Sequence, residues 1–162
     1  MEKIEGLTDL KKNYKKFEKK YNLPKFAQLS EDFDIEKVAE KEETEFLLRE
    51  IRKAINEKIS AYFHLFEMMI NPISSQIFIF SLLKNLNEKD TKMVREIYQQ
   101  LAKLQIKAMQ TDIIYKEENE ADFISHAFKI WQDLKPKIND IFEKFDKKYN
   151  KDDDRNRRGY FR

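Results

Sequence analysis

Residues 35–70 read IEKVAEKEETEFLLREIRKAINEKISAYFHLFEMMI and contain neither glycine nor proline. Apolar side chains recur in this stretch at spacings of three and four, from Leu48 through Ile55 to Met69. That spacing places them on one face of an α-helix, which is typical of a helix packed against a core. The stretch therefore predicts one long central helix with a joint near Thr44, ended by Asn71 and Pro72.

The composition extends this helical interpretation to the whole chain. Glycine occurs twice and proline three times among the 162 residues, whereas hairpin-rich β folds need such turn residues. We expect an all-α, single-domain helical bundle of about five to six helices in residues 1–150. The scarcity of glycine also excludes the glycine-rich loops that cradle phosphate groups.

Cysteine usage and hydropathy indicate the compartment. The chain has no cysteine and a formal net charge of +2, so we expect no disulfides and a cytoplasmic location. The N-terminal residues are charged, and the longest uncharged stretch, between Glu67 and Lys84, is broken by polar residues. These features predict neither a secretory signal nor integral membrane association.

A basic amphipathic helix is predicted over residues 8–21, with Thr8 as its N-cap and Asn22 and Pro24 at its end. One face of it is apolar and carries Leu7, Leu10, Tyr14, Phe17 and Tyr21. The opposite face carries Lys11, Lys12, Lys15, Lys16, Lys19 and Lys20. Residues 31–50 form an acidic segment with nine acidic and three basic residues.

The apolar run Ile77–Phe80 fits a buried strand as well as a helix, because short runs do not reveal their period. Its helical neighbours favour a helix over Gln76–Leu86, and its apolar character on nearly all sides places it at the centre of the bundle. The next helix is expected to start at Asn87 or Asp90 and to run to about Tyr115.

The C-terminal third is expected to contain two helices. Lys116–Asp122 is predicted to be an acidic, exposed linker, followed by a short helix over residues 123–134. Pro136 suits the first turn of a last helix, which extends to Tyr149. Residues 151–162 are too polar to join a core and are predicted to be a disordered charged tail.

Three stretches resemble uncharacterised archaeal all-helical proteins. They are Leu23-Pro24-Lys25-Phe26, Asp32-Phe33-Asp34-Ile35-Glu36 and Leu47-Leu48-Arg49-Glu50-Ile51-Arg52. This resemblance implies an archaeal, cytoplasmic origin. It implies no activity and assigns no functional residue.

Catalytic and metal-binding patterns do not emerge from the sequence. His64 has Glu67 three residues on and His126 has Asp122 four residues before, yet neither fits the Glu-x-x-His pattern of di-metal bundles. Asp152-Asp153-Asp154 lacks the oxygen cage of a calcium site. We therefore expect no enzymatic activity, no cofactor, no metal site and no small-molecule substrate.

Partner binding is the function that the charge pattern favours. The candidate residues are Lys12, Lys15, Lys16 and Lys19 on the basic helix and Arg155, Arg157, Arg158, Tyr160, Phe161 and Arg162 in the tail. The leading interpretation is a non-enzymatic interaction protein, a subunit or adaptor that binds a protein partner or a second copy. The alternative is a nucleic-acid-associated protein, in which these lysines and arginines contact phosphates.

Overall fold

The structure of the chain is a computed structural model that describes residues 2–3, 6–40, 43–44, 46–71 and 77–159, with side chains in 6–40, 46–71 and 77–151. Within these residues the fold consists of six α-helices: α1 (Leu7–Tyr21), α2 (Phe26–Phe33), α3 (Leu47–Ile70), α4 (Ile77–Leu83), α5 (Glu88–Ile113) and α6 (Glu117–Gly159). A 3₁₀ helix covers Ile35–Glu40, and strands β1 (Glu2–Lys3) and β2 (Glu43–Thr44) pair antiparallel. The predicted all-α bundle with one long central helix is confirmed.

Helix α3 is the centre of the bundle, because it packs against α5, α6, α4, α2 and the 3₁₀ helix. Its predicted stripe is buried, and Leu48, Ile51, Ile55 and Ile59 have no exposed surface. The α-helix covers only Leu47–Ile70 of the predicted stretch, because the 3₁₀ helix and β2 precede it instead of a jointed first half of the helix. The acidic residues that precede α3 provide no apolar stripe that would hold a continuous helix against the core.

Helix α1 packs its apolar face on the bundle and ends where predicted. Leu10 and Tyr14 are fully buried, and the Tyr14 hydroxyl donates to the Pro24 carbonyl at 2.5 Å. Asn22 follows the last turn in the left-handed conformation, with a φ of 51°, which asparagine tolerates. The N-cap is Gly6 rather than Thr8, and the helix begins at Leu7, one residue before the predicted range 8–21.

The prediction that α4 lies at the centre of the bundle is wrong. Ile77 is 89% exposed, Phe78 54% and Phe80 47%, and α4 buries only Ile79 and Leu82. The helices α3, α5 and α6 already enclose one another and form the core. A helix of seven residues, about 10 Å long, can cover an edge of that core but cannot extend through it.

The predicted break at Pro136 is also wrong, because α6 continues through it. Buried residues follow at spacings of three and four on both sides of the proline, from Trp131 and Leu134 to Ile138 and Ile141. This uninterrupted stripe holds both halves against the core, while Pro136 itself is exposed.

Residues 116–122, which we predicted to be an exposed linker, instead contain the start of a helix. Helix α6 begins at Glu117, and Glu120 is completely buried against Arg52. The backbone is helical through residues 151–159, where we expected no regular structure, and residues 160–162 lie outside the described part. Among the described residues, no helix is both long and apolar enough to cross a bilayer.

Candidate protein-interaction groove

An apolar groove lies between α3, α4 and α6, with a volume of about 540 Å³. We refer to it as the α4 groove. Its apolar walls include Leu65, Met69, Phe78, Phe142, Phe145 and Tyr149. The volume is in the range of cavities that bind ligands or several partner side chains.

The local sequence explains why this groove stays open. Ile79 and Leu82 on one side of α4 are buried and anchor the helix. Phe78 lies beside them on the groove and remains 54% exposed. Across the groove, Tyr149 of α6 is 63% exposed, and the two rings meet edge to face with centroids 6.4 Å apart. Large aromatic side chains thus remain in contact with water.

Asp146 is the charged residue among the described residues that line the groove. Its carboxylate accepts a long hydrogen bond from the Asn150 amide at 3.4 Å. Beside Asp146 on the same helix, Lys147 and Glu143 form an exposed ion pair at 3.6 Å. An apolar groove with one carboxylate suits a ligand that is apolar and carries a cation.

A second exposed apolar surface lies on α5, away from this groove. Ile106 is 58% exposed, Met109 68% and Ile113 78%. Their spacing of three and four places them on one face of the helix. No residue of α5 lines the α4 groove, so Ile106 offers a matched control position for experiments on Phe78.

The predicted basic face of α1 is exposed. Lys12, Lys15, Lys16 and Lys19 all lie on the solvent side, opposite the buried Leu10. The structure therefore brings these four candidates onto one surface. The side chains of Arg155, Arg157, Arg158, Tyr160, Phe161 and Arg162 lie outside the described residues, so the tail half of the predicted site stays a prediction.

The neighbouring Lys20 is paired with another residue of the protein, although its side chain is 60% exposed. Its ammonium lies 2.6 Å from Glu117 Oε1, which also accepts the Tyr21 hydroxyl at 2.6 Å. Hydrogen bonds from Lys20 and Tyr21 hold the pKa of the Glu117 carboxyl below its usual value. This contact fastens α1 to the start of α6.

The two histidines behave as the sequence suggests for surface residues. His64 is 69% exposed and lies 3.6 Å from Glu67 on the same helix face, as expected. Partial desolvation and the nearby Lys107 lower the pKa of the His126 imidazole. Among the described residues, no three histidine or carboxylate side chains are grouped in a way that could hold a metal ion.

Sequence reasoning missed a charged cluster that joins α3 to α5 and α6, with Arg52 and Glu120 buried and Asp112 62% exposed. Arg52 Nε donates to Glu120 Oε2 at 2.5 Å and Arg52 Nη2 donates to Asp112 at 2.6 Å. Arg49 lies 3.5 Å from the other Glu120 oxygen, with the Tyr115 ring 5.1 Å from its guanidinium. These residues are distant in sequence, so no local pattern signals the cluster.

No protein family, curated protein or solved structure matches this chain.

Proposed function

We propose that this protein is a non-enzymatic, cytoplasmic interaction protein that binds an amphipathic helix of a partner protein in the α4 groove. The exposed Phe78 and Tyr149 on opposite walls of the groove are the observation that carries this proposal. Large apolar side chains left in water at a concave surface are typical of sites that bind partners. An archaeal origin remains a proposal based on the resemblance of the three stretches quoted above.

The shape of the groove favours a helix as the bound element. Two of its walls are themselves helices, α3 and α6, and α4 forms the third side. An amphipathic helix inserts side chains at spacings of three, four and seven into such a groove. The 540 Å³ volume accommodates several such side chains.

The charge of the groove defines the partner further. Asp146 would accept a lysine or arginine from the bound helix, because no other described residue of the groove walls is charged. We therefore propose a partner helix with an apolar stripe and one basic residue at its edge. Burial of Phe78 and Tyr149 would supply most of the binding energy, as aromatic anchors do at interfaces.

Site-specific photocrosslinking in the source cell tests this proposal. A photoreactive phenylalanine analogue replaces Phe78 in one variant and Ile106 in a control variant, and mass spectrometry identifies the crosslinked segments. We expect position 78 to capture one amphipathic, basic helix that position 106 does not capture. Asp146→Lys should reduce that crosslink, because two cations would then face each other.

Three results would overturn the proposal. The first is capture of the same mixture of proteins from both positions. The second is a crosslink from position 78 to a second copy of this chain, which light scattering would confirm as self-association. The third is a captured segment with no apolar stripe.

Nucleic-acid binding is the second candidate function, and the exposed Lys12, Lys15, Lys16 and Lys19 favour it. Lysines that contact phosphates release counterions, so affinity should fall steeply with salt. A fluorescence anisotropy titration with a single-stranded RNA at low and physiological salt tests this. Lys12→Glu with Lys15→Glu should abolish binding, and absence of binding at low salt would eliminate this candidate.

A further inference from the structure

A second cavity, separate from the proposed helix-binding site, lies between α2, α3 and α6. It has a volume of about 330 Å³. Two lysines, Lys58 and Lys135, line it together with the buried carboxylate of Asp32 and the rings of Tyr62, Trp131 and Phe142. We refer to it as the Trp131 cavity. Phe142 also borders the α4 groove, so this residue is avoided in the test below.

Asp32 holds both ammonium groups at this cavity. Lys135 Nζ lies 2.7 Å from Asp32 Oδ1, and Lys58 Nζ donates to the Asp32 backbone carbonyl at 2.5 Å. Gln132 donates to the second carboxylate oxygen at 2.6 Å. Three side chains therefore donate hydrogen bonds to Asp32, and these bonds hold the two lysine ammonium groups in place at the cavity.

The charge at the cavity is positive. The lining residues supply two ammonium groups, from α3 and α6, and one carboxylate, from α2. Each ammonium has three N–H donors, and the contact with Asp32 occupies one of them. Lys58 and Lys135 both line the cavity, so their remaining donors suit an anion with two acceptor atoms.

The remaining walls are aromatic. The rings of Tyr62 and Trp131 meet edge to face with centroids 5.1 Å apart, and the Lys58 ammonium lies 5.6 Å from the centre of the Trp131 ring. The Trp131 Nε1–H is buried and has no acceptor among the described residues. Apolar walls with a few polar groups at one end are the usual features of a small-molecule site.

We propose that the Trp131 cavity binds a small organic carboxylate, with its anionic head between Lys58 and Lys135 and its apolar body against Tyr62 and Trp131. A carboxylate matches the pair of donors and the single net positive charge. An apolar or planar body matches the ring walls. This proposal does not depend on partner binding in the α4 groove.

Trp131 is the only tryptophan in the chain, so its fluorescence reports directly on this cavity. We use phenylacetate as the probe and phenylacetamide as its uncharged equivalent. We expect phenylacetate to change the Trp131 emission saturably and phenylacetamide to bind about tenfold more weakly or worse, because it has no charge for the lysines. Inorganic phosphate, which has no apolar body, should bind more weakly than phenylacetate.

Lysine variants connect the binding to these side chains. Lys58→Met and Lys135→Met should each weaken phenylacetate by about tenfold, since each removes one charge-assisted hydrogen bond. Lys129→Met, an exposed lysine on the same helix α6, is the control and should bind as the parent does. If Lys135→Met fails to fold, Lys58→Met keeps the test valid, because Lys58 contacts Asp32 through the backbone carbonyl.

Four results would overturn the proposal: no saturable change in Trp131 emission, equal affinity for phenylacetate and phenylacetamide, equal affinity in the parent and both lysine variants, or tighter binding of phosphate than of phenylacetate. Circular dichroism establishes that each variant has the parent's helical content before the titration.

Discussion

Arg52 Nε lies 2.5 Å from Glu120 Oε2, and both side chains are buried, with 3% and 0% of their surface exposed. This pair joins the central helix α3 to the first turn of α6, across 68 residues of sequence. Burying a charge without a partner is costly, so each member is stable in the core only while the other is present. The pair therefore fixes the position at which α6 begins.

We predict that Arg52→Met lowers the free energy of unfolding by about 3–5 kcal/mol, because Glu120 would remain buried without its main partner. Urea denaturation measures this change. The double variant Arg52→Met/Glu120→Leu should recover most of the loss, since neither charge then remains in the core. Lys147→Met is the control, because its exposed pair with Glu143 should be worth less than about 1 kcal/mol.

A second prediction concerns acid stability. Asp90 is buried at the N-terminus of α5, where Lys144 binds its carboxylate and holds its pKa below the usual value. The folded protein therefore binds this proton less tightly than the unfolded chain does. The resulting stabilisation is complete above the usual aspartate pKa of about 4 and is lost as the pH falls below it toward the lowered folded value.

Urea denaturation of the parent and of Asp90→Asn, at several pH values from about 7 to 3, measures this effect. Asparagine keeps an acceptor for the Asn87 backbone N–H, so the N-cap is retained. Between about pH 5 and 3, we expect the free energy of unfolding to fall more in the parent than in the variant. Above that range, it should change by the same amount in both proteins. Parallel curves would show that Asp90 does not titrate differently in the folded state.

Local signals predicted some of these features and long-range packing decided the others. The start of α5 was predicted because Asn87 and Asp90 exchange hydrogen bonds within four residues of sequence. The burial of Glu120 was not predicted, because its partner Arg52 lies far away in the chain. Nothing in the sequence near Glu120 distinguishes it from its exposed acidic neighbours.

The errors at α4 and Pro136 have related causes. The sequence of α4 is apolar on nearly all sides, and that property does not show how much of the helix surface the longer helices leave uncovered. At Pro136 the apolar stripe from Trp131 to Ile141 keeps its spacing across the proline. Packing along that stripe outweighs the one backbone hydrogen bond that proline removes. The spacing of the apolar residues was therefore a better predictor of the helix than the proline was.

The α4 groove leads to a third prediction. Phe78→Ser should reduce the binding of an apolar fluorescent dye, because it removes one aromatic wall of the groove. Stability should fall by less than about 1 kcal/mol, since the ring is half exposed in the folded protein. Dye titration and thermal denaturation measure the two effects. Ile106→Ser removes a similarly exposed side chain outside the groove, and equal dye loss in both variants would contradict a groove-specific site.

The last prediction concerns Pro136, which lies inside α6 and is exposed. Proline has no N–H to donate to the carbonyl of Gln132 and its ring crowds that carbonyl, at a cost of about 3 kcal/mol in a helix interior. Pro136→Ala restores the donor. It also gives the unfolded chain more conformational freedom, which lowers the free energy of unfolding by about 0.4–1 kcal/mol. We therefore expect a gain of about 1–3 kcal/mol in the free energy of unfolding, measured by urea denaturation.

A control one residue away separates the backbone effect from the side chain. Lys137→Ala removes only an exposed ion pair, in which Lys137 Nζ lies 3.7 Å from Glu96 Oε2. It should change the free energy of unfolding by less than about 1 kcal/mol. A loss of stability in Pro136→Ala would mean that α6 has adapted to the proline, so that an alanine helix no longer fits the stripe from Trp131 to Ile141. An unchanged stability would mean that the missing hydrogen bond is already compensated by water at this exposed turn.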